Sequence, residues 1–318
     1  MSEQSEALFT NVELALAAYA TLVTGPTDDQ RGALQDAAGS GMPPNQALAF
    51  AARYPTVVTT FEDPTTGLQL TVFKDTPGNS GGNLTVAFRG TTIPEDLPTG
   101  ADIVGSGAAY NQIVAMANWW ARASAPPDQI NVKQFQLASY APDAVPADAV
   151  ALRPNGEEIL VLEAAASAPA FTVAQGNLNA ALDADPDHRV DLTGHSLGGH
   201  LAMSFSSLFS AQTGQVTVFN APGFSSTTAN QEFFGRLGGS IPTNADGNIF
   251  NVAADEALVG VPPFNFIARM HSAPGTLINI PIEDQFNSDE PIPFAPALNH
   301  SVAALADSLA VYRLLADL

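Results

Sequence analysis

The chain of 318 residues contains no cysteine, which excludes disulfide bonds, zinc–thiolate centres and cysteine nucleophiles. Basic residues are scarce, because 11 Lys and Arg residues stand against 32 Asp and Glu residues, giving a formal net charge of −21 at pH 7. This charge argues against a nucleic-acid-binding protein and against electrostatic docking on an anionic membrane. Any contact with lipid would therefore have to be apolar.

Long hydrophobic runs are also missing, since no stretch approaches the roughly 18 apolar residues of a membrane-spanning helix. The first residues, Met1 to Glu6, are acidic, whereas a cleaved signal peptide begins with basic residues. We therefore expect a location in the cytoplasm, or secretion by a route without a cleaved signal peptide. With 46% hydrophobic residues and no internal repeat or domain boundary, residues 1–318 are expected to form a single domain.

Strands and helices alternate in the second half of the chain. Strand-like runs at 190–192, 216–219, 249–252 and 277–280 are interleaved with helical runs at 197–211, 231–237 and 302–315. The first half adds candidate strands at 57–62, 68–74, 83–88 and 159–162, and candidate helices at 6–23, 46–54, 110–123 and 170–182. Such alternation predicts an α/β fold with a mainly parallel central sheet and helices on both faces.

The strongest local signal is Gly194-His195-Ser196-Leu197-Gly198-Gly199, a G-x-S-x-G match between a short apolar strand and an apolar helix. Strand, sharp turn and helix form the setting in which this motif exposes a nucleophilic serine. The turn is strained, so the residues two positions before and after Ser196 must lack side chains. Ser196 is therefore the predicted nucleophile, and the Leu197 N–H at the start of the helix is a predicted oxyanion donor.

A serine nucleophile needs a base and an acid that orients the base, in the chain order Ser, Asp or Glu, His. The two histidines well beyond the motif are His271 and His300, and His300 is favoured because it follows the last strand. His195 is set aside because it is expected to point away from the nucleophile. Asp255 is the predicted acid, since it follows the strand at 249–252 and would lie at the carboxyl edge of the sheet; Glu256 is its neighbour.

A second oxyanion donor should come from the loop after an earlier strand. Phe88-Arg89-Gly90-Thr91 ends such a strand, and Thr91 offers both an N–H and a hydroxyl. Gly90 would let the backbone approach a substrate, and Arg89 could pair with a carboxylate. A plain turn at the end of a strand would have the same sequence, so both interpretations stay open.

Val86-Ala87-Phe88-Arg89-Gly90-Thr91, followed about a hundred residues later by the Ser196 motif, resembles the class 3 lipases, a family of α/β-hydrolases. The resemblance implies Ser196, Asp255 and His300 as the catalytic triad, and Thr91 and Leu197 as the oxyanion hole. It also implies a lid at about 92–106, although the family's Asp-Trp pair after Arg-Gly-Thr is absent. Residues 125–154 look like an insertion in the family pattern.

We therefore expect a serine hydrolase that cleaves lipid esters through an acyl-enzyme and needs no cofactor. A phospholipase A1, a short-chain esterase, an acyltransferase, a toxin-like effector and a non-catalytic binding protein are the alternatives. Trp119 and Trp120, at helical spacing, are expected to pack in the core. As a second interpretation, they form an apolar patch that makes transient contact with lipid. The acidic segment at 283–290 is a weak candidate for calcium binding.

Overall fold

The computed structural model describes residues 2–37, 41–75, 83–91, 97–154, 159–185, 187–244, 247–256, 267–268, 270–282 and 300–316. Across these residues run eleven strands: β1 Gly25–Pro26, β2 Thr56–Glu62, β3 Gln69–Lys74, β4 Leu84–Phe88, β5 Val132–Tyr140, β6 Val150–Pro154, β7 Ile159–Ala168, β8 Val190–His195, β9 Thr213–Phe219, β10 Ile249–Glu256 and β11 Thr276–Ile282. The same residues include nine α-helices: α1 Ser2–Ala17, α2 Arg31–Asp36, α3 Pro44–Arg53, α4 Leu97–Ser106, α5 Tyr110–Ser124, α6 Asn179–Asp183, α7 Leu197–Leu208, α8 Thr228–Leu237 and α9 Val302–Ala316.

The central sheet has eight strands in the order β1-β2-β3-β4-β8-β9-β10-β11. Strands β1 to β4 pair antiparallel, and β4, β8, β9, β10 and β11 pair parallel. The mainly parallel sheet expected from the alternation of strands and helices is therefore confirmed. The carboxyl ends of the five parallel strands meet at one edge, where α/β proteins place their sites.

Alternate residues of each central strand face two separate cores, because successive side chains of a strand point to opposite faces. In β4, Val86 and Phe88 belong to the core beneath α5, α7 and α8, whereas Ala87 belongs to the core beneath α1, α3 and α9. The second core is closed at its rim by ion pairs, in which Arg53 contacts Glu13 at 2.5 Å and Arg313 contacts Glu6 at 3.3 Å. Both faces of the sheet are thus covered by helices.

The segment predicted as an insertion forms most of a second, three-stranded antiparallel sheet in the order β5-β7-β6. Strands β5 and β6 lie within 125–154, but the central strand β7 extends the excursion to Ala168. Asn118 of α5 joins the sheet to the main body, because its side chain donates to the Phe135 carbonyl at 2.7 Å and accepts from the Phe135 N–H at 2.8 Å. Prolines at 126, 127, 142, 146 and 154 leave this region without a clear strand pattern in the sequence.

Two segments differ from their predicted secondary structure. Residues 170–182 form only a single 3₁₀ turn and the short helix α6. A capping box between Thr172 and Gln175 begins the turn, and Gly176, with its positive φ of 88°, ends it. Gly, Pro and Asp are frequent at 92–107, a composition that predicts a loop, but the region contains α4. Its Asp102 is buried and bonded to Arg153 of β6 at 3.1 Å, a tertiary contact that local sequence does not reveal.

Trp119 and Trp120 are both core residues, with 2% and 1% of their surface exposed, so the alternative of a lipid-facing patch is wrong. The Trp120 indole packs edge-on against Phe205, with ring centroids 4.8 Å apart, and its N–H donates to Gln212 at 2.8 Å. Among the described residues, no helix is long and apolar enough to cross a membrane.

Replacing Trp120 by alanine is expected to lower the free energy of unfolding by about 3–5 kcal/mol, because it empties a large site in a close-packed core. Urea unfolding followed by circular dichroism measures the change. Val173→Ala is the control, since Val173 is 75% exposed and its truncation should change the value by no more than about 0.5 kcal/mol. Equal unfolding midpoints for the two variants would contradict the core assignment.

Candidate active site

Ser196 occupies the junction between β8 and α7 in a backbone conformation that L-residues rarely adopt, with φ 56° and ψ −125°. Its N–H donates to the Phe219 carbonyl of β9 at 2.8 Å, and its carbonyl accepts the first helical bond from His200 at 3.1 Å. Ser196 is buried, with only 6% of the residue exposed. Strain of this kind persists only where the surroundings impose it.

The glycines of the motif supply that constraint. A Cβ on Gly194 would lie 2.5 Å from the Gly198 carbonyl oxygen, and one on Gly199 would lie 2.6 Å from the Ala221 side chain. A Cβ on Gly198 would collide with the Phe88 carbonyl at the end of β4. Their small size therefore lets the turn close and brings the end of β4, with the loop that carries Thr91, against the start of α7.

The start of α7 offers backbone donors to this turn. The first N–H groups of any helix have no acceptor within the helix. The Ser196 N–H already donates to the Phe219 carbonyl, so the Leu197 N–H is the next backbone donor at the start of α7. The positive end of the helix dipole also favours negative charge at this position.

A cavity of about 460 Å³ opens directly over Ser196. Its walls are mostly apolar, and they include four of the five residues predicted for the site, namely Thr91, Ser196, Leu197 and His300. The other lining residues are Tyr19, Gly100, Ala101, Ile103, Val104, His195, Pro222, Ile267 and Met270. The fold thus gathers residues from six separate parts of the sequence around one cavity.

Asp255, the predicted acid, lies near the end of β10, paired with Pro281 of β11. The backbone of this position is at the carboxyl edge of the sheet, as expected, but its side chain and that of Glu256 lie outside the described residues. The role of Asp255 therefore stays a prediction.

His300 lies two residues before α9 and faces the cavity. Burial lowers the pKa of its imidazole well below the usual 6.5, and the neighbouring His195 lowers it further. A lowered pKa keeps the ring neutral at neutral pH, which is the form that can accept a proton.

The other histidines have their ring nitrogens engaged elsewhere. Both nitrogens of His271 are bonded, one to the Ser225 hydroxyl at 2.9 Å and one to the Ile103 carbonyl at 2.6 Å. His200 likewise contacts the Ala109 N–H and the Pro222 carbonyl, and burial lowers its pKa to about 4. His188 bonds the Leu182 carbonyl outside the cavity. Both ring nitrogens of His271 are thus occupied, and the choice of His300 as the base stays a prediction.

His195 is the residue whose role the sequence did not indicate. Its ring lies in the cavity wall, where Nδ1 contacts the Tyr19 hydroxyl at 2.8 Å and Nε2 contacts the His300 carbonyl at 2.5 Å. Asn220, with a φ of 49° after β9, was also missed, and its amide donates to the same carbonyl at 3.4 Å. An asparagine directly after a buried strand was the one local signal for it.

The predicted lid corresponds in part to α4, whereas residues 92–96 lie outside the described residues. Helix α4 forms one wall of the cavity and is tied at two points, by the Asp102–Arg153 ion pair and by the bond from His271 to the Ile103 carbonyl. Burial raises the pKa of Asp102, and Arg153 opposes that shift. Arg89 does not form its predicted ion pair in the bonds described, because it donates to the Gln69 side chain and the Gly67 carbonyl.

The acidic segment at 283–290, the calcium candidate, lies outside the described residues. Within the residues whose positions are described, no group of three or more His, Asp or Glu side chains is arranged to hold a metal ion.

A mainly parallel sheet, helices on both faces and a serine on a strained turn between β8 and α7 define an α/β-hydrolase fold. No family model matches the sequence, and no curated protein matches it. Among solved structures, the chain is similar to the Lip2 lipase from Yarrowia lipolytica, with 15% identity and a TM-score of 0.40, over 94% of this chain and 83% of that one.

A triacylglycerol lipase from Penicillium expansum has 15% identity and a TM-score of 0.36, over 88% of this chain and 81% of that one. The native Rhizomucor miehei lipase propeptide complex has 13% identity and a TM-score of 0.36, over 97% of this chain and 80% of that one. At these identities and TM-scores the likeness carries no argument about the reaction or the substrate of this chain.

Gly194→Ala is expected to destabilise the protein by roughly 1–3 kcal/mol, because the new methyl group collides with the backbone of Gly198. Gly235→Ala in α8 is the control: its Cβ would meet no atom within 4 Å, and alanine should stabilise the helix by up to about 1 kcal/mol. Thermal unfolding compares the two variants. A Gly194→Ala protein as stable as the wild type would show that the turn is not constrained as described.

Proposed function

We propose that this protein is a serine hydrolase that cleaves carboxylic esters of lipids through an acyl-enzyme. The observation that carries the proposal is the strained Ser196, which shares an apolar cavity with a buried, neutral histidine. A strained serine at the head of a helix is the arrangement used for nucleophilic attack on acyl groups. The apolar walls favour an acyl chain as the group that occupies the cavity.

In the proposed reaction the Ser196 oxygen attacks the ester carbonyl while the His300 imidazole takes the hydroxyl proton. The oxyanion accepts hydrogen bonds from the Leu197 N–H and from Thr91. Collapse of this intermediate breaks the ester bond, and the proton passes from His300 to the departing alcohol. Water then attacks the acyl-enzyme, with His300 again acting as base, and the acid and free Ser196 are formed. Asp255 is the proposed partner that orients His300.

Ser196→Ala is expected to reduce hydrolysis of p-nitrophenyl esters, assayed from acetate to palmitate, by roughly 10⁵-fold or more, because no other group replaces the nucleophile. Ser206→Ala is the matched control, since Ser206 is a similarly buried serine in α7, the helix that follows Ser196, and does not line the cavity. An activity that survives in Ser196→Ala would exclude this site.

The chain-length optimum separates a lipase from a short-chain esterase, and release of fatty acid from phosphatidylcholine would indicate a phospholipase. A fluorophosphonate probe should label the wild type and not Ser196→Ala. Absence of both labelling and ester hydrolysis would favour the non-catalytic alternative.

The pH dependence of kcat/KM should have its acid limb below pH 6.5. Because burial lowers the pKa of His300, the base stays neutral as the pH falls past 6.5, and activity is lost only when the pH passes the lowered value. The measurement is a pH–rate profile on p-nitrophenyl butyrate, with samples returned to pH 7 to confirm that no enzyme is lost. An acid limb at or above pH 6.5 would contradict a desolvated base.

A further inference from the structure

The His195 ring has one possible arrangement of its proton. A carbonyl oxygen can only accept a hydrogen bond, so the 2.5 Å contact with the His300 carbonyl requires the proton on Nε2. Nδ1 is then an acceptor, and the Tyr19 hydroxyl donates to it at 2.8 Å. The two contacts together select a single neutral tautomer.

Burial supports this assignment. Only 5% of His195 is exposed, and desolvation lowers the pKa of its imidazole to about 4. A protonated ring would carry a proton on Nδ1 and would lose the bond from Tyr19. The ring is therefore a neutral donor at neutral pH, aimed at one carbonyl.

That carbonyl belongs to His300, the proposed base. The bond joins the backbone of the proposed base to the side chain of the residue next to Ser196 in the sequence, so it ties the two backbone segments to each other. The Asn220 amide gives a second, longer bond to the same oxygen at 3.4 Å, and the rings of His195 and His300 lie with centroids 4.6 Å apart.

The approach of Tyr19 depends on a glycine. A Cβ on Gly90 would collide with the Tyr19 hydroxyl and would lie 2.6 Å from the His195 carbonyl oxygen. The turn before Thr91 thus leaves the space through which the hydroxyl reaches the ring.

We propose that His195 is a positioning residue for the base His300, and that Tyr19 acts through His195 by fixing its tautomer. The inference rests on the proposed function, because it needs His300 to be the base for Ser196. Neither residue transfers a proton in the reaction. Their effect is to keep the base in the geometry for attack, where a misplacement of about 1 Å costs roughly a hundredfold in rate.

Tyr19 also lines the cavity, so it has a rival role as a direct contact to the substrate. A double-mutant cycle separates the two roles. If Tyr19 acts through His195, its hydroxyl has no effect once the imidazole is gone. If Tyr19 touches the substrate, the two losses multiply.

The experiment compares Tyr19→Phe, His195→Leu, His195→Gln and the double variant Tyr19→Phe/His195→Leu in hydrolysis of p-nitrophenyl esters. Tyr19→Phe should lower kcat about tenfold, as expected for the loss of one hydrogen bond, with KM unchanged. His195→Leu should lower kcat about a hundredfold, His195→Gln should restore part of it by keeping an amide donor, and the double variant should equal His195→Leu.

The pH profile gives a readout that a general loss of stability would not produce. The described titratable groups that line the cavity are Tyr19, His195 and His300, and Asp255 is the predicted acid beside them. In His195→Leu, a displaced His300 gains solvent and loses the neighbouring imidazole, so the acid limb should move upward towards pH 6.5. Unfolding midpoints are measured for every variant.

Tyr140→Phe and His188→Asn are the controls, because Tyr140 bonds Glu163 in the small sheet and His188 lies outside the cavity. If His195→Leu does not fold, the removal of one oxygen in Tyr19→Phe still tests the proposal. Wild-type kcat in both Tyr19→Phe and His195→Leu, or multiplying losses in the double variant, would overturn it. A fully active Ser196→Ala would instead overturn the proposed function, and the positioning role with it.

Discussion

The backbone strain at Ser196 is the constraint on which the rest of the site depends. A non-glycine residue in such a conformation costs on the order of 1–3 kcal/mol, and the surrounding contacts must supply that energy. Here β8 is held between β4 and β9, and the Ser196 N–H donates to β9. Gly194 and Gly198 allow backbone to meet backbone, and Gly199 leaves room for the Ala221 side chain. A serine in the interior of a regular helix could not lie at the cavity beside the first backbone N–H groups of that helix.

Burial has two consequences for the histidines around that cavity. It removes water from the rings of His195, His200 and His300, lowers their pKa and so favours the neutral form, which a base requires. Burial also makes a ring nitrogen without a hydrogen bond energetically costly. Backbone carbonyls accept hydrogen bonds from the rings of His195, His200 and His271. Three of the histidines therefore serve as donors that tie loops and helix α4 together, and their bonds shape the environment of the fourth.

Much of the architecture could be predicted because local sequence patterns indicate it. The alternation of strands and helices after residue 190, the hairpin of β2 and β3, and the strand–serine–helix turn all have signals within a few residues. The small sheet and α4 had weak local signals, since prolines and glycines interrupt both segments, and tertiary contacts such as Asp102 with Arg153 stabilise them.

The role of His195 could not be predicted for a related reason. Its partners are 176 and 105 residues away in the sequence, and a periodic pattern of residues does not indicate contacts over such separations. Position within the motif suggested only that the ring would point away from the nucleophile. The structure shows a ring that lies in the same cavity wall but is occupied by other partners.

The order of the site residues along the chain also determines when each of them is synthesised. Tyr19 follows the first helix, His300 precedes the last one, and α1 and α9 are joined by Arg313 and Glu6. During synthesis on the ribosome, the serine turn can form long before the residues of α9 have emerged. A nascent chain that has not yet reached His300 therefore lacks the proposed base, even where the serine turn has already formed.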